Sequence, residues 1–300
     1  MIRVAPDHVS SIRPGRRPFT VLGACAAVIV ALSLGGCSTF DSLNPFGGEK
    51  YEAKVLPDEP AQQIYDQALV RLERRDYEGA TRRFTDLEKQ FPFSQWSRKG
   101  LLMIAYSNYE AQKWDETVMA GNRYISLYPS TAETPYALYL VGMSMYNQIP
   151  DISRDQERAE QTVKVFNDLI QKFPKSEYVE EAKYKLMVAR DQLAGKEMSV
   201  GRFYLARKNY TAGINRFREV LFKYQTTRHA EEALFRLTEA YYALGIVNEA
   251  QTAAAVLGHN YPDSQWYKDA YALLQKGGVE PQVSQGSWIA RAFRGVSGQG

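Results

Sequence analysis

An aromatic residue followed by a turn signal recurs five times along the chain and constrains its fold more than any other feature. The five segments lie at residues 91–94, 128–130, 173–176, 224–226 and 261–264. Ahead of these segments, apolar residues recur at spacings of three and four, which predicts amphipathic helices that end there. Successive aromatics are 37, 45, 51 and 37 residues apart, and a helix pair repeated at such a period indicates a stacked array.

Small and aromatic residues in the second helix of each pair match the phase of the tetratricopeptide motif. The first repeat has an aromatic, a small residue, a second aromatic and a proline at Tyr77, Ala80, Phe84 and Pro92. Later repeats keep parts of this set, and the third is stretched by an insertion at residues 148–155. Because one helix pair cannot bury its apolar face alone, neighbouring pairs must stack. The sequence therefore predicts an all-α, tetratricopeptide-like helical-hairpin solenoid with about five repeats.

One segment, from Tyr178 to about Lys208, departs from the pair pattern and predicts a long connecting helix between repeats three and four. It divides the body into two parts. Residues 61–177 carry repeats one to three, and residues 178–275 carry the long helix with repeats four and five.

The tail, residues 276–300, is expected to be mobile because Gly277, Gly278 and Pro281 interrupt it. Within the tail, residues 288–294 are also compatible with a short basic amphipathic helix. Such a helix would dock on a partner or on a membrane surface.

Residues 1–36 have the pattern of a signal peptide. A basic stretch, which fits general secretory or twin-arginine export, precedes an uncharged run at residues 19–34. That run is shorter than the ~20 residues a membrane span needs. The Leu-Gly-Gly sequence before Cys37 resembles the bacterial lipobox, which implies cleavage before Cys37, S-diacylglycerol on its sulfur and an N-acyl group on its amine. Residues 37–60 show no helical period, so we expect a lipidated flexible tether there.

The residue after the cysteine bears on localisation. Ser38 stands where an aspartate would, in many Gram-negative bacteria, retain a lipoprotein in the inner membrane. More than one lipid chain gives stable anchoring. The sequence therefore predicts a protein that is lipid-anchored to the cell outer membrane at its periplasmic face.

Charge, cysteine and histidine content argue against several classes of function. Without residues 1–36 the chain has 33 basic and 33 acidic residues, so it lacks the basic excess of a nucleic-acid binder. The cysteines are Cys25, in the signal peptide, and Cys37, which leaves no disulfide. His229 and His259 lie in no zinc motif, and no phosphate loop or nucleophile elbow is complete. We expect no nucleic-acid partner, no metal, no cofactor besides the covalent lipid, and no catalysis.

Three local motifs accompany the repeats. They are Phe-Pro-Phe-Ser at 91–94, Ser-Arg-Asp-Gln at 153–156, and Lys-Glu-Met-Ser-Val at 196–200 running into Phe-Tyr-Leu-Ala-Arg at 203–207. In this order, and with the lipobox, they resemble the BamD family of lipoproteins of the outer-membrane β-barrel assembly machinery, over residues 60–275. The resemblance implies a non-enzymatic scaffold that docks the POTRA module of a BamA-type barrel protein. Other assembly-machinery lipoproteins and unfolded outer-membrane β-barrel substrates are its further implied partners.

The resemblance also implies binding residues. Arg207 falls where the family carries an arginine associated with POTRA contact, although a solvated turn residue would give the same sequence. The candidates for an N-terminal peptide-binding groove are aromatic, and packing in the helix core is their competing interpretation. These candidates are Phe91, Phe93, Trp96, Tyr106 and Tyr109.

Two other functions fit the sequence less well. One is a periplasmic tetratricopeptide lipoprotein that coordinates cell-wall or envelope growth through different partners. The other is a peptidoglycan-modifying enzyme, which would need catalytic residues that no motif in the sequence provides.

Overall fold

The computed structural model describes residues 59–293, which belong to one compact unit. The helices of this part are α1 (Ala61–Glu73), α2 (Tyr77–Gln90), α3 (Gln95–Glu110), α4 (Trp114–Leu127), α5 (Thr134–Tyr146), α6 (Glu157–Lys172), α7 (Val179–Ala206), α8 (Tyr210–Lys223), α9 (His229–Ala243), α10 (Val247–Asn260), α11 (Gln265–Lys276) and α12 (Trp288–Phe293). No strand occurs between residues 59 and 293, and the predicted all-α repeat fold is confirmed. The predicted signal peptide, the predicted tether up to residue 58 and the predicted lipidation site Cys37 lie outside the described residues.

The turns inside the helix pairs share one backbone conformation. In repeats one, two and four, Arg75, Gln112 and Lys208 have φ values of 59°, 58° and 59°, and Gly245 of repeat five has φ 73°. Such left-handed residues end helices and let the chain reverse. Repeat three has no residue of this kind, because the insertion replaces its short turn.

The second helices also end alike. The aromatic residue after each second helix has φ between −130° and −138°, and the helix does not continue beyond it. At the first of these ends, the Ser94 amide donates to the Phe91 carbonyl (3.0 Å), and the Ser94 side chain caps α3 by accepting from the Ser97 amide (3.0 Å). The five aromatic ends predicted from the sequence therefore share one helix-ending conformation.

Small residues let paired helices approach each other closely. A Cβ added at Gly142 in α5 would lie 2.4 Å from Phe166 of α6, and one at Gly201 in α7 would lie 2.4 Å from Phe217 of α8. Both rings are fully buried. The eight-residue insertion in repeat three lengthens the loop without changing this contact.

Helix α7 joins the two groups of repeats by burying different faces in its two halves. Ala182 and Leu186 pack with Phe166 in one core cluster. Further along, Ala194 and Met198 pack in the cluster of the C-terminal repeats. Each residue of the second pair follows its counterpart in the first pair by 12 residues. At 3.6 residues per turn this is three full turns and a third of a turn, so the two pairs lie on different sides of the helix.

The insertion of repeat three folds back on the middle of α7. Gln192 Nε2 donates to the Pro150 carbonyl (3.0 Å), and Lys196 Nζ donates to the Ser153 carbonyl (3.1 Å). Gly195 lies between these two anchors, and a Cβ there would sit 3.9 Å from Ile152. The insertion is therefore attached to the middle of the connecting helix by two hydrogen bonds.

The prediction of a mobile tail from residue 276 is wrong for residues 277–293. Helix α12 packs on the C-terminal core, where Ile289 is fully buried and Phe293 is 4% exposed. The tail is ordered because its few apolar residues fill a groove that helices distant in sequence create. Residues 294–300 lie outside the described part.

Candidate peptide-binding surface

Aromatic side chains from first helices of successive repeats lie side by side. In α1, the Tyr65 ring is 5.5 Å from the Phe84 ring and 5.2 Å from the Trp96 ring at the start of α3. Lys99 Nζ lies 5.1 Å from the centre of the Trp96 ring. The first helices α1 and α3 carry Tyr65 and Trp96 because their apolar face must meet both the partner helix and the next repeat.

A second group, which we call the tyrosine cluster, lies further along. It consists of Tyr106 and Tyr109 of α3, Tyr136 and Tyr139 of α5, and Tyr178 at the start of α7. The Tyr178 ring is 5.2 Å from Tyr136 and 5.0 Å from Tyr139. All five rings are half-buried, so each packs on the core and leaves part of its surface to solvent.

Polar groups next to the tyrosine cluster orient its hydroxyls. Burial raises the pKa of Tyr136 and that of Tyr139, and the Glu181 carboxylate raises the pKa of Tyr139 further by accepting a hydrogen bond from its hydroxyl. Burial also raises the pKa of Tyr109, whose hydroxyl is hydrogen-bonded to Asn147. Since the ordinary pKa of tyrosine is about 10, these hydroxyls are protonated at neutral pH and can take part in hydrogen bonds as donors.

This arrangement suits binding better than chemical transformation. Tyrosine offers a large rigid apolar face with a polar tip, which suits the contact with extended peptides. A tyrosine hydroxyl can donate or accept a hydrogen bond, and the Glu181 carboxylate accepts. A peptide backbone provides both kinds of partner.

The sequence-predicted aromatic residues occupy different environments. Phe91, Trp96, Tyr106 and Tyr109 pack on one core cluster with part of their surface exposed. Phe93 is fully exposed at the tip of the turn before α3. The structure thus packs four of the five candidates on one core cluster, of which Phe93 is not a member.

Arg207 lies directly after α7, in the turn inside repeat four. Its guanidinium stacks 3.6 Å from the centre of the Phe203 ring and donates to the Phe203 carbonyl at 3.4 Å. Both side chains face solvent, with Phe203 51% exposed. Together with Lys208 they give this turn an apolar patch with a positive edge, a combination that can act in recognition.

Sequence reasoning missed three of the five tyrosines of the cluster and the neighbouring Glu181. Tyr136, Tyr139, Tyr178 and Glu181 were not singled out, although Tyr136 and Tyr139 are spaced by three residues, like Tyr106 and Tyr109. Pairs of tyrosines at helical spacing in two consecutive first helices were the available signal. The contribution of Tyr178 depends on how α7 begins, which periodicity does not fix.

Ionisable groups elsewhere make no metal centre in the described part of the chain. No group of three or more histidine, cysteine, aspartate or glutamate residues is placed to hold an ion between residues 59 and 293. His229 Nε2 lies 3.8 Å from Asp191 Oδ1, and burial lowers the pKa of His229. Within the same residues, no helix is long and apolar enough to cross a membrane.

Comparisons with known proteins give consistent matches. A family model described as an outer membrane lipoprotein, YfiO, matches residues 57–257. Outer membrane protein assembly factor BamD of Caulobacter vibrioides is 40% identical over 258 residues, which cover 86% of this chain and 82% of that protein. BamD of Rickettsia prowazekii is 38% identical over 250 residues, covering 83% and 95%. BamD of Neisseria meningitidis serogroup A is 30% identical over 254 residues, covering 81% and 93%.

Proposed function

Because the chain belongs to the YfiO family of outer-membrane lipoproteins, which includes the assembly factor BamD, we propose that it is a non-catalytic scaffold for assembling outer-membrane β-barrel proteins. The observation that carries this proposal is the identity of 30–40% to BamD proteins over most of the chain. The two candidate surfaces then take separate roles, one for substrate and one for the barrel-forming partner. Association with the outer membrane follows from the same family.

We assign the tyrosine cluster to the substrate. An unfolded β-barrel protein presents extended segments with alternating apolar side chains, and such segments need apolar area together with backbone partners. Tyr136, Tyr139 and Tyr178 supply the ring surface, and the Tyr139 hydroxyl with Glu181 supplies hydrogen bonds. Weak binding here is sufficient, because a scaffold must release its substrate to the insertion step.

We assign the turn at Arg207 to the POTRA module of a BamA-type protein. The stacked Phe203 and Arg207 side chains are exposed beside Lys208. A stacked guanidinium is held in place before binding, so little side-chain entropy is lost when it meets a carboxylate or an aromatic ring. Lipidation at Cys37 would hold the scaffold at the periplasmic face of the outer membrane, where other lipoproteins of the machinery can join.

Peptide binding tests the substrate assignment. A labelled peptide with the sequence of the last strand of an outer-membrane barrel protein is titrated with the full mature protein by fluorescence anisotropy. Tyr139→Ala should weaken binding roughly tenfold or more, as a central aromatic contact does, whereas Tyr139→Phe should have a smaller effect because it keeps the ring. Tyr184→Ala is the matched control, since Tyr184 is 58% exposed on α7 outside the cluster. Equal weakening by Tyr139→Ala and Tyr184→Ala would remove the cluster from the proposal.

Co-purification tests the docking assignment. Arg207→Glu should greatly reduce recovery of the POTRA-bearing protein from solubilised membranes, because it reverses the charge at the proposed contact. Arg82→Glu is the control, since Arg82 has a 71% exposed side chain in repeat one. Unchanged recovery with Arg207→Glu would show that this arginine is not the contact.

A further inference from the structure

Helix α12 occupies a groove between the second helices of repeats four and five, α8 and α10. The Trp288 ring stacks on Phe222 of α8 at 5.4 Å, and the Arg218 guanidinium lies 4.8 Å from the same ring. Trp288 Nε1 donates to the Tyr241 hydroxyl (2.9 Å) on α9, the helix that forms the floor. We call this the α8–α10 groove.

Polar contacts fix both ends of α12 in the α8–α10 groove. At its start, Ser287 Oγ donates to the Glu249 carboxylate (2.7 Å) on α10. At its end, Gln225 Nε2, just after α8, donates to the Ala292 carbonyl (3.1 Å). Between them Ile289 is fully buried. One turn and a half of amphipathic helix is therefore enough to fill such a groove.

A second groove occupies the corresponding place in repeats two and three, between α4 and α6 with α5 as its floor. It encloses about 490 Å³ and has no occupant from residues 59–293. We call it the α4–α6 groove. The residues that line it include Ile125, Leu138, Met145, Gln161, Lys164 and Val165.

The repeat phase makes the two grooves equivalent position by position. The aromatic ends of α4 and α8 are 96 residues apart and those of α6 and α10 are 88 apart, the difference being the eight-residue insertion. With these offsets Met145 is equivalent to Tyr241, which accepts a hydrogen bond from Trp288. Gln161 is equivalent to Glu249, which accepts one from Ser287. Residues that hold α12 thus have counterparts that line the α4–α6 groove, except Phe222, whose place is taken by Ser126 outside the lining.

Charge distinguishes the α4–α6 groove from the filled one. Lys164 replaces Thr252, and Asp168 replaces Val256. Asp168 is paired with Lys172 (3.2 Å), whereas Lys164 is exposed and makes no ion pair or hydrogen bond within residues 59–293. The rim therefore carries one unmatched positive charge, which favours an acidic group on an occupant.

The groove between α2 and α4 is different because ion pairs cross it. Glu78 pairs with Lys113 near one end, and Glu88 pairs with Arg123 near the other. Across the α4–α6 groove, the ion pair between Asp115 and Arg158 lies at one end, so the apolar floor stays open. Of these two N-terminal grooves, only the α4–α6 groove is shaped to take a helix.

We propose that the α4–α6 groove binds a short amphipathic helix of a partner protein, in the way that the α8–α10 groove binds α12. The apolar face of this helix packs on Leu138, Met145 and Val165, and an aspartate or glutamate on its edge pairs with Lys164. This site is separate from the tyrosine cluster and from Arg207, and the inference stands whether or not those assignments hold.

Site-specific photocrosslinking in living cells tests the proposal. Benzoylphenylalanine replaces Val165 in one full-length variant and Ile125 in another, and adducts are mapped by mass spectrometry. We expect both variants to crosslink to one segment of one partner, at residues three or four apart, as on a helix. An acidic residue should lie within one turn of them. Adding Lys164→Glu should lower adduct yield about fivefold or more, because attraction becomes repulsion.

The control places the same crosslinker at Met119, which is 66% exposed on α4 outside the groove. Adducts no more abundant than at Met119 would overturn the proposal, as would crosslinked residues two apart, which indicate an extended strand. Adducts to residues 288–293 of a second copy of this chain would show that the occupant is that copy, which would also overturn the proposal of a partner protein. Unchanged circular dichroism of Lys164→Glu verifies that the variant is folded.

Discussion

Substituting Gly201 in the connecting helix α7 should destabilise the protein although alanine favours helices. A Cβ at Gly201 would lie 2.4 Å from Cε1 of Phe217, whereas carbon atoms in good contact are about 3.5–4.0 Å apart. Phe217 is fully buried, so its ring has little space into which to move. Gly195 in the same helix is the matched control, because its nearest neighbour would be the end of the His229 side chain at 3.3 Å.

The comparison of these two glycines isolates the steric effect. Each alanine gains about 1 kcal/mol from helix propensity, and this gain cancels in the difference between the variants. Overpacking a tight core costs about 1–3 kcal/mol. Gly201→Ala should therefore be about 1–3 kcal/mol less stable than Gly195→Ala.

Urea denaturation followed by circular dichroism measures this difference. Adding Phe217→Leu to Gly201→Ala should remove much of the overlap, because leucine has no atom at the Cε1 position. The two substitutions should then be favourably coupled, by on the order of 1 kcal/mol. Equal stabilities of Gly201→Ala and Gly195→Ala, or no coupling with Phe217→Leu, would refute the close approach of α7 and α8.

Three further predictions concern separate features. Trp288→Ala should release the tail, so that trypsin cuts after Arg291 roughly tenfold faster or more; an unchanged rate would argue against docking of α12. Burial lowers the pKa of His229, so stability should be fully present above pH ~6.5 and fall as pH drops towards the folded-state pKa. Urea midpoints should show a weaker acid effect in His229→Gln than in the parent protein. Phe93→Ser should change the unfolding free energy by less than about 0.5 kcal/mol, whereas Phe84→Ala should cost about 3–5 kcal/mol in the same assay.

The repeat architecture was predictable because each repeat carries its own local signal. The aromatic and proline ends, the small residues facing rings and the break at the insertion all appear in sequence at fixed spacing. The long helix predicted from Tyr178 to about Lys208 is observed as Val179–Ala206. Its two glycines do not break it, because both are buried and tertiary packing stabilises the helix; at Gly201 the Phe217 ring leaves no space for a side chain.

The docked tail and the full tyrosine cluster were not predictable in the same way. The sequence allowed a short helix at residues 288–294, which is observed as α12, but its docking on this chain was not predictable because the α8–α10 groove is formed by distant residues. Likewise, Tyr178 joins Tyr139 only because α7 begins beside α5. Features that depend on contacts between repeats need the folded structure.

Depletion of the chain in its own host tests the assembly role most directly. Outer-membrane fractions are analysed for β-barrel proteins that migrate as folded species on unheated gels. If the chain is a scaffold of the β-barrel assembly machinery, depletion should sharply lower folded barrel proteins while peptidoglycan composition stays unchanged. Normal levels of folded barrel proteins, with altered peptidoglycan instead, would contradict the account and favour a scaffold of cell-wall growth.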